Sequence, residues 1–422
     1  MGKRGAGGRG DGQAQPLAAA DALVGVDTSE LPLVTAPIES VRPVRNPIGV
    51  FAPLAERLAK TRAPGGPDYL LLLAVVALLI FGLVMVLSAS QYAVPGDPSY
   101  WFRRQALWAA LGGVALLVSS RIDYHAWRRL ATPGMLLALL LLLLVLKAGD
   151  NVDGGQRWLR LGFFSLQPSE LAKLAFAVYT ADWLVRKGDE VRTWLYGLLP
   201  FAALTGTVLA LVLLQNDLGT TIVIAALALA LFFAAGANPL HLVPTLAVGA
   251  LGALALALSS GFRRARIEAF LHPLTPGCTD PVSYHTCQGL ISLGSGGLFG
   301  RGLGDSLQKA GYLPNPFTDS IFAVIGEELG FIGCVTLLVL FALLAARGYR
   351  AGRHAPDAYG ALLACGITTW LLAQALINVG SVTSSIPFTG VPLPFVSFGG
   401  SSLVTSLAAV GILLNISRRS HS

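Results

Sequence analysis

Ionisable residues that interrupt the long apolar runs of this chain are few, and they are where chemistry would sit, because a charge inside a membrane span costs several kcal/mol unless paired or hydrated. Asp319 heads an apolar run in Pro314-Asn315-Pro316-Phe317-Thr318-Asp319-Ser320-Ile321. A carboxylate there could serve as a general base or as the cap of the following helix, and spacing alone weighs the two equally. The two prolines upstream keep the helix from starting earlier and hold the approach extended. Glu327 and Glu328 lie further along the same run. Adjacent carboxylates point about 100° apart on a helix, so they lack the facing geometry of a hydrolase acid pair. Glu170 and Lys173, in Gln167-Pro168-Ser169-Glu170-Leu171-Ala172-Lys173, share one helical face, which suits a structural ion pair or a substrate contact. Asp217, in Gln215-Asn216-Asp217-Leu218-Gly219-Thr220, is fully explained as a helix N-cap.

The elements that must position these residues are membrane helices. Of 422 residues, 54% are apolar and 13% charged, where a soluble domain carries about 25% charged residues. Runs such as Tyr69 to Val86 approach the roughly 20 apolar residues that a span requires. The expected fold is an all-α polytopic membrane protein with about ten transmembrane helices, at 69–89, 105–120, 131–147, 168–186, 194–214, 219–236, 239–260, 319–346, 357–382 and 401–417. Residues 1–67, rich in Gly, Ala and Pro with mixed charge, are expected to be a disordered cytoplasmic tail, and 68–422 the membrane domain. Cations concentrate on alternate flanks, among them Arg121, Arg128, Arg129, Arg186, Lys187, Arg347, Arg350, Arg418 and Arg419, which places both termini in the cytoplasm. The net charge of +7 is spread between apolar runs, so it serves topology and anionic membrane lipid rather than nucleic acid.

One large outer loop, about 261–318 between spans seven and eight, is long enough to be functional. Its glycines, from Gly289 through Gly304, resemble a phosphate cradle but lack the strand and the Lys-Ser/Thr ending of a nucleotide loop. A tightly packed segment with close backbone approach is the favoured reading. Cys278 and Cys287 share this loop in an oxidising compartment, whereas Cys334 and Cys365 fall within spans. A Cys278–Cys287 disulfide is therefore expected, with two free thiols as the alternative.

Further segments join those above: Gly155-Gln156-Arg157-Trp158, Arg266-Ile267, Gly294-Ser295-Gly296-Gly297 through Gly302-Leu303-Gly304, Gln308-Lys309, Tyr312-Leu313-Pro314, Gly326-Glu327-Glu328-Leu329-Gly330, Pro392-Leu393-Pro394-Phe395 and Ser397-Phe398-Gly399-Gly400-Ser401-Ser402. In their order and spacing they resemble the SEDS family of shape, elongation, division and sporulation proteins. The resemblance implies a ten-helix peptidoglycan glycosyltransferase that polymerises lipid II into undecaprenyl-pyrophosphate-linked glycan on the outer face of the cytoplasmic (inner) membrane. It implies a class B penicillin-binding protein as transpeptidase partner, with further divisome or elongasome proteins, and it implies that Asp319 is catalytic. The family commonly has His and Phe where this chain has Phe317 and Ser320, Pro where it has Asn216, and in some relatives Arg where it has Ser165.

Glycan polymerisation needs a base for the acceptor sugar hydroxyl and cations for the departing pyrophosphate. Asp319 is assigned as the base. Arg157, Lys173, Arg266 and Lys309 are candidates for pyrophosphate contacts, with Glu170, Asp217 and Glu328 as further substrate-binding candidates. No cofactor is demanded by the sequence, although a divalent ion (Mg2+ or Mn2+) bridging Asp319 and pyrophosphate would neutralise the leaving group in the same way. Two other readings stand beside this one. A lipid II flippase would show internal repeats and a midplane site, neither of which is found in the sequence, and a noncatalytic division scaffold would use Asp319 only structurally.

Overall fold

The computed structural model describes residues 66–152, 155–162, 164–238 and 283–419, together with 240, 241, 249, 252, 267, 268, 270–274 and 278. Most of the expected tail, Arg266 and most of the expected span 239–260 lie outside the described residues.

Ten helices are labelled here: α1 (Tyr69–Ala89), α2 (Tyr100–Arg121), α3 (Ala126–Ala148), α4 (Pro168–Lys187), α5 (Leu199–Leu214), α6 (Leu218–Ala234), α7 (Tyr284–Ser295), α8 (Ile321–Arg353), α9 (Ala358–Val382) and α10 (Gly400–Arg419). Among the described residues, six helical segments are long and apolar enough to cross a membrane: α1, α3, Trp194–Leu214 with α5 at its core, α8, α9 and α10. Helices α2 and α4, both expected as spans, have the length, but Arg103 and Arg104 in one and Glu170, Lys173, Asp182 and Arg186 in the other lower their hydropathy. Helix α6 is a shorter apolar helix of 17 residues.

Local chemistry explains the boundaries. Asp68 caps α1 by accepting from the Leu71 amide at 3.0 Å, and Asp357 caps α9 through the Gly360 amide at 2.8 Å. Pro168 occupies the first turn of α4, where its missing N–H leaves no helical bond unmade. Helix α8 departs from the sequence expectation, starting at Ile321 with Ser320 at the cap position, so Asp319 lies before the helix and does not cap it.

The structure amends the all-α expectation between α3 and α4. There β1 (Asp150–Val152), β2 (Gly155–Leu161) and β3 (Phe164–Leu166) pair antiparallel in the order β1-β2-β3, with Asn151 opposite Gln156 and Arg160 opposite Ser165. Strands of three to seven residues give too short an alternation to read against such an apolar background.

Helices α9 and α10 form the interior of the bundle, and nearly every residue of α10 from Gly400 to Ile416 is buried. Ser119 of α2 reaches across to the Ala408 carbonyl of α10 at 2.9 Å, a small-residue contact of the kind that lets membrane helices approach closely. Flanks that the charge bias assigns to one side do meet at one end. Arg347 pairs with Asp68 at 2.7 Å, Arg419 with Asp123 at 2.9 Å and Arg128 with Asp182 at 2.8 Å.

Helix α8 is broken at Gly330, whose φ of 67° and ψ of −165° are not helical. Left alone, the break would expose the Glu327 and Glu328 carbonyls and the Phe331 and Ile332 amides. The glycine-rich segment before α8 takes all four: Arg301 and Gly302 amides donate to Glu327 and Glu328 at 2.9 and 3.0 Å, and Phe331 and Ile332 amides donate to Gly297 and Leu298 at 2.9 and 3.2 Å. A Cβ at Gly300 would lie 2.1 Å from the Glu328 carbonyl oxygen, so glycine is required for that approach. These glycines pack backbone against backbone.

Candidate functional site

Asp319 sits half-buried between the end of the loop and the start of α8. Its own neighbourhood is built from three segments. The stretch Phe317–Asp319 is lashed to the segment before α10, since the Phe398 amide donates to the Phe317 carbonyl at 2.9 Å and the Ser397 hydroxyl donates to the Thr318 carbonyl. Gln105 of α2, fully buried, holds that segment in turn by donating to the Ser397 carbonyl at 3.0 Å. Asn378 of α9 donates to the Asp319 carbonyl at 2.8 Å and to the Val391 carbonyl at 2.7 Å.

The Asp319 side chain accepts from the Thr318 hydroxyl at 3.0 Å. Gly390 lies against the other carboxylate oxygen, which a Cβ there would approach to 3.5 Å. Aromatic rings flank the site: Trp101 stacks on Phe317 at 5.2 Å and meets Phe398 edge-on at 4.9 Å, and the Arg104 guanidinium lies 5.6 Å from the Trp101 ring. The result is a half-buried carboxylate with a fixed backbone at one end of the bundle, beside an apolar wall.

A second cluster surrounds the Glu170–Lys173 pair, both side chains of which are buried. Lys173 donates to Glu170 at 2.9 Å and to Gln374 Oε1 at 2.6 Å, and its ammonium lies 5.1 Å from the centre of the Trp370 ring. Gln374 also donates to the Pro392 carbonyl at 3.0 Å. The pair therefore acts on the same 391–393 backbone that Asn378 holds beside Asp319.

A third group gathers at the turn between α5 and α6. Asp217 caps α6 by accepting from the Thr220 amide at 3.0 Å, and Gln167 donates to its other oxygen at 3.5 Å. Arg157 on β2 donates to the Gln215 and Asn216 carbonyls at 3.2 and 2.6 Å, pinning the sheet to this turn. Gly219, at the start of α6, abuts Val391 and Thr389, so this corner and the Asp319 corner share the 389–391 segment as a common wall.

Lys309 and Glu328 stand apart from these. Both side chains are fully enclosed, 2.7 Å from one another, with Ser88 of α1 donating to Glu328 at 2.7 Å and Lys309 donating to the Gly304 carbonyl at 2.7 Å. Glu327 faces the loop and accepts from Ser292, Ser306, Arg301 and the Leu307 amide. The two glutamates thus diverge, as adjacent helical positions must. Lys173 and Lys309 are buried with protein acceptors on their ammonium groups, Glu170 and Gln374 for the first and Glu328 and the Gly304 carbonyl for the second. Arg157 is half-buried at the sheet, and Arg266 lies outside the described residues.

Cys278 and Cys287 are joined by a disulfide with a Cα separation of 5.9 Å. Among the described residues no group of three or more His, Cys, Asp or Glu side chains is arranged to hold a metal ion. Sequence reasoning missed Gln105, Gln374 and Asn378, whose signal was available: buried amides within apolar helices must find partners, and here those partners are backbone carbonyls around the candidate base.

Fold and site together define a multi-pass α-helical membrane protein in which the buried amides Gln374 and Asn378 converge on one backbone segment beside Asp319. The FtsW, RodA and SpoVE family model, described as "Cell cycle protein", matches residues 69–422, and the chain belongs to that family. It is 42% identical over 359 residues to the probable peptidoglycan glycosyltransferase FtsW of Geobacter metallireducens, covering 83% of this chain and 95% of that one. It is 41% identical over 362 residues to stage V sporulation protein E of Bacillus subtilis, covering 84% and 98%. Among solved structures, a chain from a peptidoglycan synthase complex that coordinates polymerisation and crosslinking aligns with a TM-score of 0.72 at 29% identity, covering 84% of this chain and 98% of that chain. The rod shape determining protein RodA of Thermus thermophilus aligns with a TM-score of 0.62 at 30% identity, covering 84% and 98%.

Proposed function

We propose that this protein is a peptidoglycan glycosyltransferase of the bacterial cytoplasmic membrane, with both termini inside, that polymerises lipid II at the outer face with Asp319 as general base. The observation that carries the reading is the position of Asp319: outside the helix it precedes, with its backbone fixed by Asn378 and its carboxylate at the end of the bundle. In the reaction, the carboxylate takes the proton of the acceptor sugar hydroxyl as that oxygen bonds to the anomeric carbon of the donor. The donor's bond to the lipid pyrophosphate breaks, and its electron pair leaves on the pyrophosphate. Arg157 and Arg266 are assigned to the developing charge on that leaving group, whereas Glu170, Lys173, Asp217, Lys309 and Glu328 hold the walls. The partner is a class B penicillin-binding protein that crosslinks the product, in keeping with the two activities named for the related synthase complex.

The test is polymerisation of lipid II by the purified full-length protein with its transpeptidase partner, wild type against Asp319→Asn. Because Asp319 is not the helix cap, the Asn variant is expected to fold normally and to lose turnover by about 10²- to 10⁴-fold, the usual worth of general-base catalysis. Near-normal polymerisation by the folded variant would remove Asp319 as base. Wild-type protein that moves lipid II across vesicles but makes no glycan would favour a transporter instead.

A further inference from the structure

Ser320 occupies the cap position of α8 yet makes no capping hydrogen bond to its own helix. A serine at that position ordinarily accepts from an amide of the first turn. Here its buried hydroxyl lies 2.5 Å from Nε2 of His285, on the first turn of α7. The imidazole also packs against Phe388, with ring centres 4.1 Å apart. Phe388 is two residues from Gly390, the residue against the Asp319 carboxylate. One side chain thus touches both the residue next to Asp319 and the segment that walls its carboxylate.

We propose that His285 is a positioning residue for Asp319, acting through the Ser320 hydroxyl. The inference rests on the reading of Asp319 as base. Helix α7 is built to hold the imidazole in place. Cys287, two residues beyond His285, is bonded to Cys278, and two turns further along Ser292 donates to the Ala323 carbonyl and to Glu327, both at 3.0 Å. The Ser292 bonds hold α7 along the first turns of α8, and with it the imidazole beside Ser320. Asp319 has no helix of its own to orient it. Its main chain is held from the carbonyl side by Asn378, and the His285–Ser320 contact holds the residue that follows. A general base must lie within hydrogen-bond reach of the proton it abstracts, and small displacements of a reacting group cost rate rather than affinity.

The experiment measures kcat and KM for lipid II with the full-length protein and its transpeptidase partner, per monodisperse protein, for His285→Ala, His285→Gln, Ser320→Ala and the His285→Ala/Ser320→Ala double variant. Asp319→Asn and thermal unfolding are run alongside. His285→Ala and Ser320→Ala are each expected to lower kcat by about 10- to 100-fold with KM unchanged. The double variant should be no worse than either single one, and His285→Gln, which keeps a hydrogen-bonding group, should recover most of the rate. Wild-type kcat in His285→Ala, a loss confined to KM, or a Gln variant as slow as the Ala variant at wild-type melting temperature would each overturn the proposal. An active Asp319→Asn variant would instead overturn the reading beneath it.

Discussion

Gln374 and Asn378 lie one turn apart on the same face of α9, and together they tie a buried ion pair to the backbone of the candidate base. Gln374 receives Lys173 and the Trp370 indole on its oxygen and gives its nitrogen to Pro392. Asn378 gives its nitrogen to both Val391 and Asp319. These hydrogen bonds are made away from water, where losing one carries its full desolvation penalty.

Asn378→Asp is nearly isosteric, yet it replaces a donor by a carboxylate facing two carbonyl oxygens. We expect it to destabilise at least as much as Asn378→Ala, which leaves two carbonyls unpaired at about 1–3 kcal/mol each. Thermal unfolding of the two variants checks the order. An Asp variant as stable as wild type would mean that the amide is not the clamp.

Glu170→Gln and Lys173→Met each leave one buried charge without its partner, a loss of about 3–5 kcal/mol when such a pair is broken from one side. The double variant removes both charges and should be better folded than either single variant. Comparing the monodisperse yield and melting temperature of the three decides the matter. A double variant worse than both singles would show that the pair contributes more than mutual neutralisation.

Gly300→Ala and Gly297→Ala separate strain from collision. Both positions have positive φ, 79° and 56°, but a Cβ at Gly297 meets nothing within 4 Å. Gly297→Ala should show only the strain of a left-handed alanine, about 1 kcal/mol. Gly300→Ala must also push back the Glu328 carbonyl, and its melting temperature should fall well below that of Gly297→Ala.

At the opposite end of the bundle, His125 contacts Asp357 at 3.0 Å and Asp123 at 2.9 Å. The hydrogen bond to Asp357 is the largest influence on His125 and raises it above the ordinary histidine value, against the opposing effect of burial. Burial alone would raise Asp357, but hydrogen bonds from His125 and Tyr124 outweigh it and hold the carboxyl below the usual carboxylate range. The His125 contribution to stability is therefore complete below about pH 6.5 and is lost as pH rises through its raised value. The Asp357 contribution is present above about pH 4 and is lost as pH falls through its lowered value. In His125→Gln the decline in melting temperature on the alkaline side of pH 6.5 should flatten, as followed by thermal unfolding from pH 5 to 9.

What the sequence made legible was local. The Asp217 cap and the Glu170–Lys173 pair follow from rules that span three residues, and both are present. The close packing of the glycine-rich segment was legible in composition. Its docking partner was not, because the break at Gly330 is created by backbone bonds to a segment some thirty residues earlier. A separation of 19 residues likewise hides the Lys309–Glu328 pair from a linear reading. Ser320 and His285 carry no local pattern linking them, and only the fold places them in contact.

The interruption at Gly330 also changes what a push on the protein would do. Helix α8 is two rods joined at a glycine, and the 297–302 backbone is bonded to both: Arg301 and Gly302 donate to Glu327 and Glu328 of the first, and Phe331 and Ile332 of the second donate to Gly297 and Leu298, while Arg347 anchors the far end of the second to Asp68. A load on the 297–302 segment is therefore shared between both rods, and the glycine joint works as a clasped splice, not as a hinge that moves the Asp319 end alone.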